Sequence, residues 1–160
     1  MNGVAPGALA NHEFVRGLAD RHVALLAGAA TLVTFEPGHR LFEEGGQASS
    51  LWLIRSGHVA LDLHVAGPGR LIVETIGSGE AIGLSWQGPP FRWQFGAEAI
   101  HPTTAFELDT GVLTDFCDAD PELGYLIVRR LLAVALHRLH ATRIRMLDLY
   151  ASSHPPVSLP

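Results

Sequence analysis

Apolar positions along this chain change their period twice. Phe14, Leu18, Val23, Leu25 and Leu26 fall near helical spacing and predict a short helix or helix pair within residues 13–30. After Ala30 the apolar residues come in short runs broken by turn formers: 31–35, Pro37 and Gly38, Leu41 and Phe42, Gly45 and Gly46, 51–54, Gly57, 59–65, and Gly67 to Gly69. Runs of this length joined by glycine predict β-strands. Between residues 58 and 65, Val59, Leu61, Leu63 and Val65 alternate with His58, Ala60, Asp62 and His64, so one set faces a core. Residues 70–76 and 97–108 complete the strands of a closed or nearly closed all-β body over residues 31–116.

Asp120, Pro121 and Glu122 then read as a helix start: a capping carboxylate, proline at the first helical position, and an acid near the positive end of the dipole. No proline interrupts residues 122–150, which predicts one helix over residues 121–150, roughly 40 Å long. Its first half is apolar nearly all round, with Leu123, Leu126, Ile127, Leu131, Leu132, Val134, Ala135 and Leu136. Such a helix needs more than one neighbour. The β-body covers one side and a second copy of the helix is the simplest cover for another, so a homodimer seam is expected to include Leu123, Ile127, Leu131, Val134 and Arg138. Residues 1–12 and 151–160 read as loose tails.

Composition narrows the class. With 160 residues, 48% of them hydrophobic and 17% charged, the chain fits a single compact domain over residues 1–160 that needs no staple. The longest apolar run in the late helix, Leu131 to Leu136, is far short of a membrane span, and no secretory leader precedes Asn11, so the expected location is cytoplasmic. Cys117 lies between Asp115 and Asp118, carboxylates that raise rather than lower a thiol pKa, and reads as a small core residue. A net charge of −5 without a basic block gives no footprint for direct nucleic-acid binding.

Segment 35–45, with Phe35, Pro37, Gly38, Phe42 and Gly45, precedes segment 51–59, which carries a turn glycine at Gly57. Then come Gly79 and Glu80, Ile82 and Gly83, and on the late helix Arg138, Leu139 and Thr142. In this order the pieces resemble the cyclic-nucleotide-binding domains, and the sensor domains of the catabolite-activator and fumarate-nitrate regulators, in a stand-alone form. The resemblance covers residues 14–150. It implies a β-jelly-roll, or double-stranded β-helix, flanked by an N-terminal helical segment and a long C-terminal dimerisation helix. It also implies a phosphate-binding cassette within residues 76–97, here Gly79, Glu80, Gly83, Leu84, Ser85, Trp86, Arg92 and Trp93, with Thr142 where an adenine-contacting threonine stands.

Two positions depart from that pattern. Where family members that bind cAMP carry a glutamate for the ribose 2′-hydroxyl, this chain has Leu84; where they carry an arginine for the cyclic phosphate, it has Trp93, with Arg92 one place off. A one-residue slip on a strand turns a side chain to the other face. Charged hydrogen bonds contribute about 1.5–3 kcal/mol each, so cAMP is not expected to be held in the usual way. The aromatic residues Trp86, Phe91, Trp93 and Phe95 either fill the cavity a nucleotide would occupy or form a remodelled pocket for another small planar ligand, with Arg92 serving an anion.

Other chemistry is thin. His137 and His140 lie three apart on the late helix without a neighbouring cysteine or carboxylate ligand, and His58, His64 and Glu74 lack the spacing of a metal-dependent cupin, so no metal is expected. Ser85 sits outside a nucleophile elbow. The arginines of the helix, Arg129, Arg130, Arg138, Arg143 and Arg145, read as a solvated or salt-bridged face. The expectation is a non-enzymatic regulatory or sensor module without a bound cofactor. The alternatives are a ligand-free dimeric scaffold or partner-binding protein, and a transcription regulator acting through another chain.

Overall fold

Helices α1 (Pro6–Ala10) and α2 (Asp20–Ala29) precede eight strands among the described residues. The first four are β1 (Thr31–Phe35), β2 (Arg40–Phe42), β3 (Ser50–Ser56) and β4 (Val59–His64). The second four are β5 (Arg70–Ile76), β6 (Ala81–Ile82), β7 (Gly96–Ala99) and β8 (Thr103–Asp109), followed by α3 (Thr110–Ala119) and α4 (Pro121–Ser153). The computed structural model describes residues 3–67 and 69–153, so most of the expected tail after residue 150 lies outside the described residues.

The strands form two four-stranded sheets, ordered β1-β8-β3-β6 and β2-β7-β4-β5, with every pairing antiparallel. This is a jelly-roll with flanking helices, as expected, but the sheets are not closed: β1, β6, β2 and β5 remain edges. Leu51, Leu53, Ile54, Ile76, Ile82 and Phe106 are fully buried, each worth about 1.5–3 kcal/mol relative to exposure. In β4 the expected one-faced alternation gives way to burial of Val59, Ala60, Leu61 and Asp62 alike. The second face is covered because Arg40 on β2 reaches across to Asp62, one contact at 3.2 Å, and also pairs with Glu43 at 3.0 Å. Asp62 first, with Glu43, holds the Arg40 guanidinium more firmly protonated than usual.

The N-terminus is more ordered than its composition suggests. Residues 1–12 include α1, whose Leu9 is fully buried, and the Val4 amide donates to Ala27 O at 2.9 Å. Helix α2 begins only at Asp20, while Phe14, Val15 and Leu18 reach the core from turns. His12 joins this segment to β3, its Nε2 donating to Ile54 O at 3.0 Å while Nδ1 accepts from the Phe14 amide at 3.1 Å. That pairing fits a neutral ring, and burial lowers its pKa below the ordinary 6.5.

The β-body also ends earlier than residue 116. Asp109 Oδ1 accepts from the Val112 amide at 3.0 Å and starts α3, whose Leu113 enters the core. Burial, with Asp118 and Asp120 adding to it, raises the pKa of the half-buried Cys117 thiol in α3. At the head of α4, Asp120 Oδ1 accepts from the amides of Glu122 (3.1 Å) and Leu123 (3.2 Å), and Oδ2 pairs with buried His22 Nε2 at 2.8 Å. The helix runs 33 residues, about 50 Å.

Candidate functional site

The cassette begins where β5 ends. Glu80 closes the turn by accepting from the Gly77 amide at 2.7 Å, and the Gly79 amide donates to Ile54 O at 2.9 Å. Gly83 then adopts φ +95°, and a Cβ there would stand 2.4 Å from Ser50 O, so only glycine allows this approach to β3. Leu84–Gln87 form a single 3-10 turn with Trp86 buried beneath it. The Nε1 of Trp86 finds no hydrogen-bond partner among the described residues.

Backbone pairing decides which residue of the Arg92 and Trp93 pair points inward. The Trp93 amide donates to Gly46 O and its carbonyl accepts from the Gly45 amide, both at 2.8 Å, while the Ala48 amide donates to Phe91 O at 3.1 Å. This register buries Trp93 and leaves Arg92 exposed, its Nη1 donating to Gly45 O at 3.0 Å. Trp93 stacks on Phe42 with ring centres 4.1 Å apart and leans on Trp52 at 5.8 Å. Between the cassette and α4 a cavity of about 40 Å³ remains, lined by Phe42, Leu61, Leu84, Ser85, Trp93 and Arg138 among others. That space admits about one water molecule. Larger hollows lie elsewhere: about 630 Å³ between α2 and α3, and about 360 Å³ beside His12, Ser78 and Gly79.

The helix residues sort differently from expectation. Leu123, Ile127 and Leu131 are buried by this chain's own core, with Val134 packed against it, so the face expected to meet a second copy is already covered. Arg138 crosses to the cassette, donating to Ala81 O and facing Glu74 Oε2 at 3.6 Å. Burial lowers its pKa, with Glu74 and Glu80 opposing. Thr142 is exposed and donates back to Arg138 O at 2.9 Å within the helix. The helix face left open carries Tyr125, Val128, Leu132, Leu139 and Met146, spaced by three, four or seven residues and all exposed. Phe42, Trp52, Leu61 and Glu74 also stand at the site, where strand register and no local sequence pattern brings them. Among the described residues, three potential metal ligands meet at His22, Asp120 and Glu122, but Arg21 already pairs with Glu122.

Residues 32–120 match the family model for the cyclic nucleotide-binding domain. The chain belongs to that family. It is similar in fold to a putative cyclic nucleotide-binding protein from Geobacter metallireducens, at 23% identity and TM-score 0.77, covering 86% of this chain and 99% of that one. A cyclic nucleotide-binding domain from Methylobacillus flagellatus gives 22% identity and TM-score 0.80 over 91% of this chain and 86% of that one. The Thermus thermophilus catabolite activator protein gives 23% and 0.68 over 87% of this chain and 63% of its own. No curated protein matches the sequence. Membership of the family makes the fold that of a cyclic nucleotide-binding regulatory domain, and no helix among the described residues is long and apolar enough to cross a membrane.

Proposed function

We propose that this cyclic nucleotide-binding-family domain is a non-enzymatic regulatory module that does not hold cAMP in the usual way and that acts as a dimer through α4. The observation carrying the reading is Trp93, buried on Phe42 with about 40 Å³ left beneath the cassette. Ligand pockets of drug size run from about 300 Å³ upward, so a nucleotide would have to displace the indole. Leu84 offers no acceptor to a ribose hydroxyl, and Arg92 is engaged with Gly45 O on the outer face. The polar groups nearest the cassette serve the fold, Glu80 closing its own turn and Arg138 capping Ala81 O.

The dimer reading rests on the exposed stripe from Tyr125 to Met146, whose spacing follows the a and d positions of a two-helix seam. Leu132 and Leu139 stand one heptad apart on it.

Calorimetric titration of the full chain tests the ligand claim. Dissociation constants for cAMP and cGMP weaker than about 100 μM are expected, corresponding to less than about 5.5 kcal/mol. Low-micromolar binding abolished by Arg92→Ala would overturn it.

A further inference from the structure

The chain passes from one sheet to the other at the β3–β4 and β7–β8 turns, and each of these turns carries a histidine. His58 follows Gly57, whose φ is +91°, and His101 precedes Pro102. Their Nδ1 atoms stand 3.1 Å apart, with ring centres at 5.0 Å and planes 82° apart. Both residues are exposed.

The backbones beneath the rings are fixed independently of the rings. The Ile100 amide donates to His58 O at 3.0 Å, and the hydroxyl of fully buried Thr103 reaches both His101 O (2.8 Å) and His58 O (3.2 Å). Gly57 packs so closely that a Cβ there would lie 2.4 Å from Pro102 O. The far edge of His58, Cδ2 and Nε2, turns to Gly77 and the Glu80 carboxylate side of its turn, which leaves Nδ1 facing His101.

We infer that His58 and His101 form a binding site for a first-row divalent transition-metal ion such as Zn²⁺ or Ni²⁺, held through both Nδ1 atoms with water completing its shell. Metal–imidazole bonds run about 2.0–2.1 Å, which sets two ligand nitrogens about 2.9 Å apart at a right angle and about 3.3 Å apart at a tetrahedral one. The observed separation lies between the two. Paired imidazoles without a converging carboxylate suit these ions and not Mg²⁺ or Ca²⁺. Two nitrogens at this distance also fit a plain N–H···N bond, which engages one proton and no ion. The ion differs from it in consequence: it ties together two of the turns at which the chain changes sheets, so it stabilises the fold by an amount that grows with the logarithm of its concentration above Kd.

Chelator-stripped full-length chain is titrated with ZnCl₂ and with NiCl₂ by calorimetry, and its Tm is recorded with and without each ion. Wild type is expected to bind one more ion per chain than His58→Gln or His101→Gln, and to gain Tm on ion addition where these two variants gain less. His137→Gln/His140→Gln, which removes the exposed helix pair, is expected to keep the Tm gain. Equal stoichiometry and equal Tm response in wild type, His58→Gln and His101→Gln would overturn the site and leave a hydrogen-bonded pair. Should either variant fail to fold, Cu²⁺-induced broadening of wild-type histidine ring signals decides instead. Broadening at His58 and His101 supports the site, and broadening only at other histidines overturns it.

Discussion

The indole of Trp93 lies over the ring of Phe42, 4.1 Å between centres and 22° from parallel. With Trp52 stacked on Phe42 at 5.4 Å, the three rings bridge β2, β3 and the cassette. Trp93→Ala is therefore expected to cost about 3–5 kcal/mol in chemical denaturation. Phe42→Ala combined with it should cost less than the two single changes together, because each removes the other's partner. Full additivity would mean that the stack adds nothing beyond burial.

Two neighbouring leucines on α4 separate folding from association. Leu131 is 5% exposed and Leu132 is 55% exposed. Leu132→Glu should turn a dimer into a monomer by light scattering while leaving the monomer folded. Leu131→Glu should lower stability by several kcal/mol, since it buries a charge without a partner. A wild-type chain that stays monomeric at micromolar concentration removes the seam altogether.

Acid should weaken the fold through His12. Burial holds its folded-state pKa below the ordinary 6.5, against the opposing pull of its bond to Ile54 O. The unfolded chain therefore takes up the proton first, and stability present above about pH 6.5 is lost as pH falls toward the lower folded value. Denaturation midpoints between about pH 7 and pH 5 should fall more steeply for wild type than for His12→Leu. Parallel curves would mean that His12 contributes nothing to the acid response.

The Arg40 pair with Asp62 is mostly buried, at 20% and 8% side-chain exposure. Arg40→Met leaves Asp62 uncompensated and should cost about 3–5 kcal/mol. Adding Asp62→Leu should return part of that loss, as measured by thermal or urea unfolding.

Strand runs, turn glycines and the Asp120 cap were readable because each is a local pattern. The single helix from Pro121 follows from them, whereas the jelly-roll was implied by the resemblance of the ordered motifs to cyclic-nucleotide-binding domains. Helix α3 was not, although Asp109 is a sound cap, because the ten residues after it are too few and too mixed to outweigh a continuing strand pattern. The inward place of Trp93 could be named but not decided: the pairing of Gly45 and Gly46 with Trp93 joins segments 47 residues apart or more. The helix faces went the same way. Apolar residues surround its first half, and only the packed body separates Leu123, Ile127 and Leu131 from Tyr125, Val128 and Leu132.

Arg138 and Arg145, about two turns apart on α4, donate to Ala81 O on β6 and to Val73 O on β5. These strands are edges of different sheets, and β5 also exposes Leu71 and Ile72. An open edge with apolar side chains is a template on which another chain's strand can add. By occupying those carbonyls the helix blunts one edge of each sheet, β6 and β5, at a single point each. A chain whose α4 is lifted or cut away by a protease would thus lose its guard against aggregation along with its helix, and solubility would report helix docking as directly as any spectroscopic probe.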